Sequence, residues 1–415
     1  MTASALAQRQ GAPKDDIGAG AVSPAPERMT TRLSAPPFAL SVSRLRLTAF
    51  RNYEAALVET DRRPIVLTGP NGAGKTNLLE AVSLLAPGRG LRRARVPDMD
   101  RKVAGDTGAV TPSWSVAATV ETPAGPVQIG TGRDPEGDRR LVRIDGEAAR
   151  GQTALGDHFS AVWLTPQMDR LFLDSAGERR RFLDRLIFGF DGAHAGRINA
   201  YEKAMRQRSR VLKDGVDDPA WLNALEDQMT ERAIAIAAAR RDMIGRLGRA
   251  CARDEGPFPG AALSVEGDVE SWLSEMPAVD AEERFADALR SSRSRDAEAG
   301  GAAIGPHRSD LAVTHLAKDM PAAHCSTGEQ KALLIAIVLA HARLQGAERG
   351  AGPVLLMDEV AAHLDEDRRN ALFDTVLSLG LQAWITGTDA AAFAGLSGKA
   401  RFFDVAAATV QPADL

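Results

Sequence analysis

Cysteine is nearly absent. Cys251 and Cys325 are the two in 415 residues, far apart and at no metal-ligand spacing, which excludes a disulfide framework and fits reduced thiols in the cytosol. Aromatic residues make up 5% of the chain, so no stacking platform for single-stranded nucleic acid stands out. No apolar run is long enough to span a bilayer, and the N-terminus lacks the apolar core of a secretory signal. Positive charge is not in excess either. With 51 Lys and Arg against 55 Asp and Glu, the net charge of −4 supplies no global attraction for nucleic acid, which local patches would have to hold.

A chain of this length can bury two or three domains. Residues 1–38, rich in Ala, Pro, Gly and Ser, read as a disordered tail, within which Met29 offers a second possible start. After a strand over Leu45–Phe50, Ile65-Val66-Leu67-Thr68 feeds Gly69-Pro70-Asn71-Gly72-Ala73-Gly74-Lys75-Thr76 and then a helix. This is a phosphate-binding loop. Its glycines let backbone N–H groups face an anion, the helix N-terminus adds its dipole, Lys75 reaches the β/γ-phosphates and the Thr76 hydroxyl suits Mg²⁺. We therefore expect ATP and Mg²⁺ here.

Alternating runs at Ser115–Thr122, Val127–Thr131 and Leu141–Ile144, separated by turn residues, predict an antiparallel β-layer. From about 175 to 300 the pattern turns helical; Leu222, Leu225, Met229, Ala233, Ile236, Met243 and Leu247 form a stripe read as core packing and too short for a long coiled coil. After 305, strands alternate with helices as in an α/β sheet. A second apolar strand, Val354–Met357, ends in Asp358-Glu359, where Asp358 would hold the metal and Glu359 polarise the attacking water. Before it, Ser326 and Glu329 have the spacing of a helix capping box.

The order of phosphate loop, Ser-x-Gly-Glu helix start, acidic strand end and Leu364-Asp365 resembles the ABC-type ATPases. Further residues narrow the resemblance: Phe50-Arg51-Asn52-Tyr53, Glu178-Arg179-Arg180-Arg181-Phe182-Leu183-Asp184, Tyr201 with Gln207-Arg208, and Gly305-Pro306-His307-Arg308-Ser309-Asp310. From about residue 44 onward the chain resembles the RecF family of bacterial DNA replication and repair proteins. That resemblance implies an α/β ABC-type ATPase head, a mixed sheet with an antiparallel β-layer and a phosphate-loop core, carrying an inserted α-helical arm. The expected division is 39–190 and 301–415 for the head and 191–300 for the arm. It also implies a cytoplasmic, nucleoid-associated protein without a membrane partner, which forms a homodimer on binding ATP and engages gapped duplexes or single-strand/double-strand junctions. With the mediator proteins RecO and RecR it would assist RecA loading, and slow ATP hydrolysis would release DNA.

On that resemblance Lys75 and Thr76 hold phosphates and metal, and Gln167, in Thr165-Pro166-Gln167, joins Asp358 and Glu359 around metal and water. Ser326 and Gly328 complete the site of a second protomer, with Asp365 near the interface and Arg51 and Asn52 near the nucleotide. Two departures stand out. Many family members carry Asp-Asp where this chain has Asp358-Glu359, and the strand Ala383–Thr386 lacks the histidine of transporter ATPases, leaving Thr386 or Thr388 at that place. Candidate DNA contacts are Arg89, Arg92, Arg93 and Arg95, then Arg179–Arg181, then Lys203, Arg206, Arg208 and Arg210; each cluster is equally readable as a solvated face, and Arg180 and Arg181 also as ion-pair partners on a helix face. A transporter subunit and an SMC-like structural ATPase are the competing classes; no nuclease activity is expected.

Overall fold

The computed structural model describes residues 38–102, 112–215, 218–252, 257–361 and 364–414; the expected tail over 1–38 lies, but for Phe38, outside them. The N-terminal part runs through β1 (Ser41–Phe50), β2 (Tyr53–Glu59), β3 (Ile65–Thr68), α1 (Lys75–Ser83), β4 (Ser115–Thr122), β5 (Gly125–Arg133), β6 (Arg140–Ile144), β7 (Glu147–Ala148) and β8 (Ala161–Leu164). Helices follow: α2 (Ala176–Phe188), α3 (His194–Lys213) and α4 (Pro219–Cys251). Then come β9 (Ala261–Glu266), α5 (Asp268–Glu275), α6 (Ala278–Ser291), α7 (Arg293–Ala299), β10 (Asp310–His315) and β11 (Met320–Pro321). The chain closes with α8 (Thr327–Arg349), β12 (Val354–Met357), α9 (Glu366–Ser378), β13 (Ala383–Gly387), β14 (Arg401–Ala406) and β15 (Thr409–Ala413).

Two large sheets carry the head. One is antiparallel, ordered β2-β1-β4-β5-β6-β7, and its strands alternate buried and exposed residues, as a sheet with one wet face should. The other is ordered β15-β14-β3-β13-β12-β8 and is parallel except at β15. Its inner strands β3, β12 and β13 are buried throughout, which is why they read as unbroken apolar runs. Helix α1 packs between the sheets, its Leu78, Leu79 and Val82 meeting Leu45, Val116 and Leu356 in one core. On the other face of the parallel sheet, Leu333, Leu334, Ile337 and Val338 of α8 meet Leu355, Ile385 and Phe373. Parallel pairing turns the C-terminal ends of β8, β12, β13 and β3 to one edge, where a ligand site is expected in such sheets.

The predicted stripe on α4 is buried throughout and serves two cores. Leu222 to Ile236 pack with α3 and with Phe285 and Leu289 of α6, whereas Met243 and Leu247 join the head core. One expectation is corrected. The stretch 175–300 is not helical throughout, because Ala261–Glu266 forms β9 and pairs antiparallel with β10, Leu263 opposite Val313 and Val265 opposite Leu311. Six residues with period-two burial are a weak signal between long helices, and only a partner strand some fifty residues later gives them backbone hydrogen bonds. Among the described residues, no helix is long and apolar enough to cross a membrane.

Candidate nucleotide site

The phosphate loop leaves β3 and enters α1 at Lys75. Gly74 holds φ +120°, and a Cβ there would stand 2.5 Å from the Tyr53 hydroxyl and 2.7 Å from Asn52 Nδ2. Glycine is required because the loop lies directly on the β1–β2 hairpin. Asn52 Nδ2 donates to the Ala73 carbonyl at 3.0 Å and Asn52 Oδ1 accepts from Asn77 Nδ2 at 2.7 Å, so the hairpin braces the loop from beneath. Arg51 forms a two-pronged pair with buried Glu80 of α1, at 2.8 and 2.6 Å. Arg51 and Asn52 therefore sit behind the loop and fix its helix.

The cleft itself, about 530 Å³, is lined by Asn71, Gly72, Gly74, Lys75, Thr76, Asn77, Arg92 and Glu359. Lys75 is buried and donates to the carbonyls of Gly69 and Pro70 at 2.7 and 2.9 Å. Burial pushes its pKa down, against the pull of Glu359 and Asp358. Thr76 Oγ1 donates to the Asp358 carboxylate at 2.8 Å. A hydroxyl beside a carboxylate at the foot of a phosphate cradle is an all-oxygen donor set, and it fits Mg²⁺. Thr386 Oγ1 donates to the same carboxylate at 2.8 Å and accepts the Glu359 N–H at 2.9 Å. Of the two threonines considered for the end of β13, Thr386 is buried among these acids and Thr388 is exposed. Glu359 follows at φ +52°, half-buried and lining the cleft.

Gln167 lies three residues beyond Leu164, whose carbonyl accepts the Asp358 N–H at 2.9 Å, and is exposed on the turn Pro166–Arg170 at the same sheet edge. Lys331 ties that turn to α8 through Asp169 at 3.2 Å. At the start of α8 the capping box is present: Glu329 accepts the Ser326 N–H at 2.9 Å, and Ser326 Oγ accepts the Glu329 N–H at 3.4 Å. The hydrogen bond from Lys318, then those from the Ser326 N–H and hydroxyl, pull the Glu329 pKa down to about 2. Ser326 and Gly328 are exposed and do not line the cleft. Asp365 caps α9 by accepting the Arg368 N–H at 2.8 Å, and Arg368 Nη1 reaches the Gly328 carbonyl at 3.4 Å. Asp365 and Gly328 are thus joined through a residue with no motif of its own.

Two side chains that sequence reasoning placed elsewhere belong to this cleft. Arg92, grouped with the DNA candidates, donates to Asn77 Oδ1 at 2.6 Å and pairs with Glu80 at 3.3 Å. Asn77, on the helix that follows the loop, lines the same cleft. Three further candidates have internal partners. Arg179 pairs with both oxygens of Asp310, Arg180 donates to the Ser309 carbonyl, and Arg208 is fully buried against Glu226 and Asp296 at 2.8 Å each. Each has a fixed internal acceptor within hydrogen-bond reach, and the fully buried Arg208 is closed to any external anion.

Residues 41–406 match the family described as RecF/RecN/SMC N terminal domain. A protein of Rhizobium rhizogenes named DNA replication and repair protein RecF is 52% identical over 374 residues, 89% of this chain and 98% of that one. The chain belongs to the RecF family. A second RecF, of Mesorhizobium japonicum, is 51% identical over 383 residues, 91% of this chain and 99% of its own. A solved structure of the recombination mediator protein RecF-ATPrS in the RecFOR pathway has the same fold, with a TM-score of 0.79 at 20% identity over 92% of this chain and 100% of that one. The architecture is that of an ABC-type ATPase head, as the resemblance implied.

Proposed function

We propose that this chain is a DNA replication and repair protein working as an ATP-controlled mediator. It dimerises on ATP, binds gapped duplexes and single-strand/double-strand junctions, assists RecA loading with RecO and RecR, and hydrolyses ATP slowly to let go. The observation that carries this reading is a site divided in two. Lys75, Thr76, Asp358 and Glu359 meet in one cleft, while the exposed helix start bearing Ser326 and Gly328 stays outside it. The positive end of a helix dipole attracts an anion, so a second copy bringing that end to the cleft would complete the phosphate shell. The names of the relatives support the repair role.

In this reading Lys75 and the loop amides bind the β/γ-phosphates, Arg92 and Asn77 flank them, and Asp358 with Thr76 would hold Mg²⁺. When bound, Mg²⁺ supplies charge neutralisation on the phosphate oxygens. Glu359 takes the proton of the attacking water, Thr386 keeps Glu359 and Asp358 in place, and Gln167 orients the water from the neighbouring strand end. Residues 191–300 act as an arm on a head made of 39–190 and 301–415.

Light scattering on size-exclusion eluates with Mg·ATP tests the divided site. Glu359→Gln should accumulate dimer, with turnover lower by about 10²–10⁴-fold. Lys75→Ala and Ser326→Arg should stay monomeric. If all three variants dimerise like the parent, the sandwich reading is wrong.

A further inference from the structure

We infer that the face shared by the loop after α1 and by α2 holds a site for nucleic-acid backbone phosphates, built from Arg89, Arg93, Arg181 and Arg185. The inference rests on the DNA-binding reading above and gives that partner a place on the chain.

Several arginines have internal partners, as described. These four do not have enough. Arg89, Arg93 and Arg181 are exposed. Burial first, then repulsion between neighbours, lowers the pKa values of Arg93, which faces Arg89, and of Arg181 and Arg185, which face Arg93. The facing carboxylates are Glu178, 3.8 Å from Arg93 and paired also with Arg181, and Glu202, which is bonded to Arg206 at 3.2 Å. Four guanidinium groups thus share two carboxylates, one of them drawn to a fifth arginine. Like charges held together gain most from an incoming anion.

Arg185 is the decisive member. Its guanidinium lies 4.4 Å over the Trp163 ring and 5.3 Å from that of Phe182, which fixes the plane of the fork. Nη2 reaches only the weak acceptor Met168 Sδ, at 3.5 Å, and Nε is buried with no hydrogen-bond partner. Among the described residues no carboxylate pairs with it. A stacked guanidinium with most of its donors unused is shaped for the oxygens of a phosphate.

The location gives the site a purpose. Arg92 lines the nucleotide cleft while the next residue, Arg93, at φ +56°, turns to the arginine cluster. Arg185 touches Met168, the residue after Gln167. A phosphate held here would lie one residue from the nucleotide cleft on one side and one contact from the glutamine turn on the other.

The test is anisotropy of a labelled duplex with the full chain and Mg·ATP over a salt series. Arg93→Ala/Arg181→Ala removes two phosphate contacts at exposed positions. Its plot of log affinity against log salt should be shallower by about 1.8, at about 0.9 per contact, with affinity lower by about tenfold or more. Arg290→Ala, an exposed arginine paired with Asp287 on α6, controls for lost charge and should match the parent. Unchanged ATP affinity in each variant reports an intact fold. A double variant that binds duplex with the parent's affinity and slope overturns the site and leaves the DNA reading standing, the result expected if an acidic protein segment is the ligand. A parent that binds no duplex overturns both.

Discussion

Thr386 donates its hydroxyl proton to the Asp358 carboxylate at 2.8 Å, from the end of one parallel strand to the end of its neighbour. The same oxygen accepts the Glu359 N–H, so one side chain sets the position of both acids. A hydroxyl can do both at once because it carries one donor and two acceptor sites.

Thr386→Val should expose this dependence. The substitution keeps the shape and leaves the half-buried Glu359 N–H and the buried Asp358 carboxylate without the Thr386 hydroxyl, costing about 1–3 kcal/mol of stability. ATP turnover should fall by about tenfold, equivalent to about 1.4 kcal/mol of misplaced catalytic geometry. Thr386→Ser should retain both. Steady-state turnover beside a denaturation curve checks it, and a valine variant turning over at the parent's rate would refute the positioning role.

Arg208 separates a buried strut from a surface ligand. Arg208→Met leaves Asp296 and Glu226 buried with one cation fewer, and stability should drop by about 3–5 kcal/mol. Duplex binding per folded molecule should not change. Urea unfolding and anisotropy on the same preparation decide it; weak DNA binding with intact stability would return Arg208 to the DNA surface.

His341 predicts an acid-sensitive head. Burial first, then nearby Arg185 and Arg246, pushes its pKa from 6.5 down to about 4, against the hydrogen bond between its Nε2 and the Leu186 carbonyl at 2.8 Å. A base with a depressed folded-state pKa binds more protons when unfolded, so its contribution is complete above pH 6.5 and is lost as pH falls toward 4. The loss should approach about 3 kcal/mol by pH 4. His341→Gln should flatten that part of the stability–pH curve. An unchanged slope would assign the acid sensitivity to other groups.

Much of the head was legible because its signals are local. The phosphate loop, the acidic strand end and the Ser326 capping box are each written in consecutive residues, and the antiparallel layer follows from alternation between turns. The sorting of the arginines was not legible. Arg92, Arg93, Arg179, Arg180, Arg181 and Arg208 look alike in sequence, yet one lines a cleft, two share a cluster and three are tied inside. Nor was β9, whose period-two pattern is too short to speak without β10.

The sequence by itself determined the class of ligand, the kind of sheet and the family, since backbone conformation and the chemistry of a motif depend on residues next to one another. Tertiary structure alone decided which charges are available and which threonine serves the acids. Those outcomes hang on partners far along the chain: 28 residues separate Thr386 from Asp358, 88 separate Arg208 from Asp296, and 131 separate Arg179 from Asp310. A charge's fate is set by what stands within a few ångströms of it, and only the folded chain brings those groups together.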